Sequence, residues 1–146
     1  MRGAQTGDIR LTLRIDFGAG RALGPGKIRL LEEIGRTGSI SQAGRALGMS
    51  YRRAWLLVAD LNRSFRAAVV TTKGGGARGG GAALTAFGRA LIKSYRAIEA
   101  QATAAAGPQL QALKAALRHD PRAGSGRRVR RAAKPLKTSI RAATAR

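Results

Sequence analysis

The chain has 146 residues and carries 28 Lys plus Arg against seven Asp plus Glu, a formal net charge of +21. So lopsided a balance implies a polyanionic partner, nucleic acid before an anionic membrane surface. Cys is absent and His119 is the one histidine, which excludes disulfides, thiolate metal sites and Cys nucleophiles and leaves little for acid–base or metal chemistry. The length suits one domain with a core and a short appendage. No apolar run approaches the roughly 18 residues of a membrane span, and the opening MRGAQTGDIR has no signal-peptide apolar region. A soluble, cytoplasmic, nucleoid-associated protein with no membrane partner is expected.

In chain order, Ile9, Leu11, Leu13, Ile15 and Phe17 alternate with Arg10, Thr12, Arg14 and Asp16, the period of a half-buried strand. Gly and Pro then break the pattern from Gly18 to Gly26. Ile28, Leu30, Leu31 and Ile34 form a helical stripe that predicts a first helix over about 26–36, opened by Pro25 and ended by Gly35 or Gly38. Ser39 is an N-cap residue with Gln42 three positions on, as in a capping box. Ala43, Ala46 and Leu47 face inward on this short second helix, and Gly48 stops it. Ser50 caps a third helix with the stripe Tyr51, Ala54, Trp55, Val58, Leu61 and Phe65. Asp60 with Arg63, and Glu32 with Arg29 and Arg36, are candidate surface ion pairs.

Val69 to Thr72 reads as a short β-branched strand, Lys73 to Gly81 as a Gly-rich loop with two cations, and Ala82 to Thr85 as the returning strand. Thr85 also caps a last helix, on which Phe87, Leu91, Tyr95 and Ile98 recur at helical spacing; the helix pauses at Gly107-Pro108 and resumes through Leu117. From residue 118 the chain holds ten Lys/Arg against Asp120 alone and too few apolar side chains to offset chain entropy, so a disordered polycationic tail is expected over 118–146. Residues 1–117 keep 18 basic and six acidic residues, or +12, so the body is basic in its own right. Residues 1–8 read as a flexible N-terminus and 9–117 as the folded domain.

Strand, helix, helix–tight turn–helix, hairpin, helix is the order of a winged helix-turn-helix, a mainly α fold with a small β component. Two helices that cross closely need small residues at the crossing, here Ala43 and Gly44. The turn needs the positive φ that Gly48 supplies. The second helix then lays its N-terminal residues, Ser50, Tyr51, Arg52 and Arg53, along the major groove, where an Arg can pair bidentately with guanine. Helix N-termini offer N–H groups to phosphate, which adds Ser39, Ser41 and Gln42 as candidates. Lys73 and Arg78 on the Gly-rich wing neutralise phosphate or enter the minor groove. Trp55 shares the core stripe and is assigned to packing rather than base stacking. Tyr51 serves either the core or a phosphate, and Gln42 either the cap or a phosphate. GGGARGGGAALT lacks the Lys-Ser/Thr that a nucleotide-binding P-loop requires, and a flexible linker is the other alternative for it.

With these residues in view, GSISQAGRALGMSYRRAW, the following ADLN, GGGARGGGAALT and FGRALIKSY together resemble the N-terminal DNA-binding domain of the ModE family of molybdate-responsive regulators, itself related to the LysR-type head. The resemblance covers roughly 9–105. It implies a homodimer that pairs through the first strand (Leu11, Leu13, Ile15), the first helix and the long last helix (Phe87, Leu91, Tyr95, Ile98), and that binds double-stranded operator DNA of two-fold symmetry. Full ModE-like regulators continue into β-rich molybdate-binding modules. Here the sequence runs into the basic tail instead, so molybdate binding is not expected, and no cofactor, metal or catalytic residue is assigned. The tail itself reads either as a nonspecific DNA-binding arm or as arginine-rich filler. A nucleoid-type architectural protein with little sequence preference is the alternative function.

Overall fold

The computed structural model describes residues 9–74 and 81–118, and Ile9–Ala116 forms one compact unit. Its first element is a small hairpin, β1 (Ile15–Gly18) and β2 (Arg21–Leu23), paired antiparallel with Ile15 opposite Leu23 and a bulge between Asp16 and Gly18. Gly18, Ala19 and Gly20 all have positive φ at its tip. The expected long strand is thereby corrected. Residues 9–14 alternate between half-buried and exposed, as their sequence does, but the strand ladder begins at Ile15. The Gly/Pro stretch read as a plain break contains β2, whose Leu23 is a core residue at 2% exposure.

Helix α1 (Pro25–Thr37) places Pro25 in its first turn and buries Ile28, Leu30, Leu31 and Ile34 completely. Gly38 ends it with φ of 69°, its N–H donating to the Ile34 carbonyl at 2.8 Å. That left-handed conformation is cheap only for glycine. Helix α2 (Ile40–Ala46) follows at once. Ser39 Oγ accepts from the Gln42 N–H at 3.2 Å. The reciprocal half of the expected capping box belongs to another residue: the Ser39 N–H donates to Thr37 Oγ1 at 3.3 Å, and the Gln42 side chain is left exposed.

The α2–α3 turn is built as its composition suggests. A Cβ on Gly44 would lie 3.0 Å from that of Ala54, so the crossing requires a residue this small. Gly48 has φ of 68°, and the Gly44 carbonyl accepts from Met49 N–H at 3.0 Å. Ser50 Oγ accepts from the Arg53 N–H at 3.1 Å and starts α3 (Tyr51–Ser64), which buries Ala54, Val58 and Leu61. Phe65 beyond its end packs between Phe17 and Phe87, with ring centroids 5.7 and 5.4 Å away.

The wing base is the antiparallel pair β3 (Val70–Thr72) and β4 (Ala82–Leu84), with Val70 opposite Leu84 and Thr72 opposite Ala82. Asn62 of α3 holds it. Its Oδ1 accepts from the N–H groups of Val69 and Val70 at 2.8 and 3.1 Å, and its Nδ2 donates to the Val70 carbonyl at 3.0 Å. Thr85 caps α4 (Ala86–Ala105) through the Gly88 N–H at 2.9 Å. A Cβ on Gly88 would collide with the Val69 carbonyl, so α4 starts in backbone contact with the residue that leads into β3. Tyr95, 1% exposed, closes the core and donates its hydroxyl to the Leu13 carbonyl at 2.7 Å; burial raises its pKa. Helix α5 (Gly107–Ala116) buries nothing.

The ion pairs differ from the expected set because tertiary packing chooses the partners. Glu32 meets Arg96 of α4 at 2.8 Å rather than Arg29 or Arg36, while Arg36 takes Glu33 at 2.6 Å. Asp60 does pair with Arg63 at 3.5 Å, but its short contact is with Lys27 of α1, at 2.6 Å. Lys27 also donates to the Ala22 carbonyl. The Lys27 hydrogen bond holds the Asp60 carboxyl below its usual pKa.

Two substitutions test this scaffold by urea denaturation. Asn62→Ala strands two N–H groups and a carbonyl at the wing base and is expected to cost about 2–3 kcal/mol. Gly38→Ala forces a side chain into the left-handed region and is expected to cost about 1–2 kcal/mol.

Candidate nucleic-acid interface

The α1–α2 junction, the start of α3 and the wing base enclose an open cleft of about 810 Å³. Ser39, Ser41, Gln42 and Arg45 form one wall, Tyr51 and Trp55 the floor, and Thr72, Lys73, Gly74 and Gly81 the other wall. Five of the nine residues that the sequence nominates for DNA contact thus meet in one concavity: Ser39, Ser41, Gln42, Tyr51 and Lys73. Ser39 sits there with its Oγ already engaged as a cap. The Lys73 N–H donates to the Gly81 carbonyl at 2.9 Å, which fixes the backbone of the wing where it leaves β3 and leaves the ammonium exposed. Arg78 lies outside the described residues.

Ser50, Arg52 and Arg53 are exposed at the start of α3 but do not act alike. The Ser50 hydroxyl oxygen is committed to the Arg53 N–H. Successive residues turn about 100° around a helix, so the two arginines diverge. Arg52 lies on the outer face with Tyr51, Trp55, Leu56 and Ala59, and Arg53 lies on the flank away from Trp55.

The assignment of Trp55 to the core is corrected, as is a core place for Tyr51. Trp55 is 38% exposed and Tyr51 61%, their rings edge to face at 6.0 Å. The stripe through Ala54, Val58 and Leu61 is narrow enough that Tyr51 and Trp55 fall beyond its margin. Sequence reasoning also missed Arg45 and Leu56. Arg45 stands on the cleft wall, one turn after Ser41. Leu56, 54% exposed, faces almost opposite the buried stripe, a signal that helical spacing alone gives.

The charge of this surface is one-sided. Each described carboxylate is paired elsewhere: Asp16 with Arg14, Glu32 and Glu99 with Arg96, Glu33 with Arg36, and Asp60 with Lys27 and Arg63. The two Glu32 and Glu99 contacts raise the pKa of Arg96. None of these carboxylates lines the cleft or the patch of Tyr51, Arg52, Trp55, Leu56 and Ala59; Asp60, next along α3, is taken up by Lys27 and Arg63, so Arg45, Arg52 and Lys73 have no carboxylate partner among the described residues. Among the described residues no group of three His, Asp or Glu is placed to hold a metal, and no helix is long and apolar enough to cross a membrane.

The residues nominated for self-association divide between core and surface. Leu91 and Tyr95 are buried within the chain at 9% and 1% exposure, whereas Ile98 is 45% exposed. Leu11, Leu13, Ile15 and Phe87 are half-buried.

Residues 26–89 match the family of bacterial regulatory helix-turn-helix proteins, lysR family. The chain is 48% identical over 81 residues to the molybdenum-pterin-binding protein MopB of Rhodobacter capsulatus, covering 56% of this chain and 30% of that protein. It is 38% identical over 87 residues to the molybdenum transport protein ModE of Azotobacter vinelandii, covering 60% and 32%. To the DNA-binding transcriptional dual regulator ModE of Escherichia coli (strain K12) it is 41% identical over 71 residues, covering 49% and 27%. The chain thus spans about a third of the length of the curated relatives it matches.

The exposure of Trp55, the single tryptophan, is directly measurable. Acrylamide is expected to quench its fluorescence readily in the folded protein, and a blue-shifted, protected emission would place it in the core instead.

Proposed function

We infer that this chain, whose residues 26–89 belong to the LysR family of bacterial regulatory helix-turn-helix domains, is a sequence-specific DNA-binding transcriptional regulator with a ModE-type head. One observation carries the reading: the tight-turn helix pair and the wing base converge on a cleft with cationic walls and no described carboxylate, beside an α3 start that projects into open space. Such a helix fits the major groove, and the cleft beside it is where a flanking phosphate strand runs. Arg52 faces base edges. Tyr51, Arg45 and Lys73 take phosphates, with Ser39, Ser41 and Gln42 at the rim. Ser50 and Arg53 set and flank the start of α3, and Arg78 extends the same wing. These are contacts without bond-making chemistry, so no catalytic role is assigned.

The protein acts as a homodimer on a two-fold operator. Ile98 on α4, Leu113 on the uncovered α5 and the half-buried residues 9–15 supply the exposed apolar surface such a pairing requires. Residues 9–117 form the reading and pairing domain, and the basic segment from 118 adds nonspecific attraction. The relatives' names associate them with molybdenum, but the matched stretch is the reading head, and no molybdate site is proposed on it.

Selection of bound fragments from a random duplex pool tests the reading. A two-fold sequence is expected to emerge and to bind roughly 10³-fold tighter than random DNA at physiological salt. Equal affinity for all duplexes with a steep salt slope would replace this function with an architectural one. On the selected duplex, Lys73→Ala and Arg45→Ala are each expected to weaken binding to all sequences alike and to lower the salt slope by about one.

A further inference from the structure

The outer face of α3 is unlike the rest of this basic surface. Tyr51, Trp55 and Leu56 are all large, apolar and exposed, at 61, 38 and 54%, and Ala59 continues the same face one turn on from Trp55. A helix face in water has no reason to carry three such side chains within six residues, and a face that reads hydrogen-bonding groups on bases carries Asn, Gln, Arg or Lys. Among the residues of this patch Arg52 is the one of that kind, and Arg63, one turn beyond Ala59, is paired with Asp60. We propose that this face recognises thymine in the major groove by its C5-methyl groups, with Leu56 and Trp55 as the specificity-determining contacts.

The chemistry leaves few alternatives. Among the groups that base pairs present in the major groove, the thymine methyl is the apolar one; the others are N–H donors and O or N acceptors. Pressing Leu56 against a cytosine amino group or a guanine carbonyl strips water from it and returns no hydrogen bond. Pressing it against a thymine methyl removes apolar surface from water on both sides. The occupant is DNA rather than a protein because the patch is set among unpaired cations, with Arg52 on it and Arg45 and Lys73 beside it. The Tyr51–Trp55 edge-to-face contact at 6.0 Å stiffens the aromatic border, so Leu56 meets the groove from a fixed position. Recognition then divides along the helix: Arg52, one turn earlier, is free for guanine or phosphate, and Leu56 with Trp55 requires thymine.

This inference rests on the DNA-binding reading, and its test separates the two. In the duplex recovered from the random pool, each thymine is replaced singly by deoxyuridine, which deletes the methyl and keeps the pairing. At one or two positions per half-site the affinity is expected to fall about four-fold, the worth of one buried methyl-sized group. In the Leu56→Ala protein, whose altered side chain is exposed, that penalty is expected to shrink toward none at the position Leu56 touches. If deoxyuridine costs nothing at any position while the selected duplex still outcompetes random DNA, methyl recognition is overturned and the regulator stands. A penalty of the same size in wild type and Leu56→Ala also overturns it as assigned, because the effect then lies in duplex shape. A pool that yields no preferred sequence overturns both readings.

Discussion

Everything functional in this fold hangs on the peptide at Gly38. Its N–H closes α1 by donating to Ile34, and its carbonyl accepts from the Ala82 N–H of the wing at 2.8 Å. The next residue, Ser39, is already the cap of α2. One residue therefore ends the core helix, starts the helix-turn-helix and anchors the returning wing strand. It does so in a left-handed conformation that a side chain would strain. Gly81 packs close by, where a Cβ would sit 3.6 Å from the Gly38 carbonyl. Asn62 repeats the device from the other side, tying α3 to β3 with three hydrogen bonds. Both walls of the cleft between α2, α3 and the wing base are thereby tied by hydrogen bonds to neighbouring elements.

The same scaffold sorts the charges. A chain with so few carboxylates spends two of them holding elements together: Asp60 joins α3 to α1 through Lys27, and Glu32 joins α1 to α4 through Arg96, while Asp16, Glu33 and Glu99 pair with arginines two or three residues away. With 14% exposure for the Lys27 side chain and its second contact to the Ala22 carbonyl, the first of these pins hairpin, α1 and α3 at one point. Of the cations without a carboxylate partner among the described residues, Arg45, Arg52 and Lys73 lie around the cleft and the outer face of α3, while others, such as Arg29, Arg89 and Lys93, lie on α1 and α4. Net charge alone predicts attraction to a polyanion. The placement of the few carboxylates is what gives that attraction a direction.

Much of this was legible in the sequence, and the failures share a cause. Local chemistry carried the caps at Ser39, Ser50 and Thr85, the glycine turn at Gly48, the end of α1 to either Gly35 or Gly38, and the small residues at the α2–α3 crossing, because each depends on neighbours within a few residues. Tertiary choices were not legible. Period two was plain over residues 9–17, yet a ladder needs a partner, and β2 covers only its last part. Glu32 had two plausible arginines on its own helix and took Arg96 from α4. Trp55 fits a core stripe by spacing, but α3 meets its neighbours along a stripe centred on Ala54, Val58 and Leu61, which the small residues Ala43 and Gly44 keep narrow. The wide aromatic edge of that stripe is left in solvent.

That misplacement is instructive about how the site divides its work. Cationic contacts to phosphate are strong and blind to sequence. A protein this basic gains affinity everywhere on a duplex, and added arginines raise specific and nonspecific binding together. On the proposed reading, discrimination beyond Arg52 comes from groups that gain nothing from phosphate. On α3 that part is proposed for Trp55 and Leu56, with Ala59 beside them, which leave water only where the facing base edge is itself apolar. The joint at Gly38 sets how far this face projects relative to Arg45 and Lys73, so the proposed phosphate contacts and the apolar face are coupled through it. On the reading proposed above, charge brings the duplex to the cleft, and the geometry of one glycine sets which edge α3 then meets.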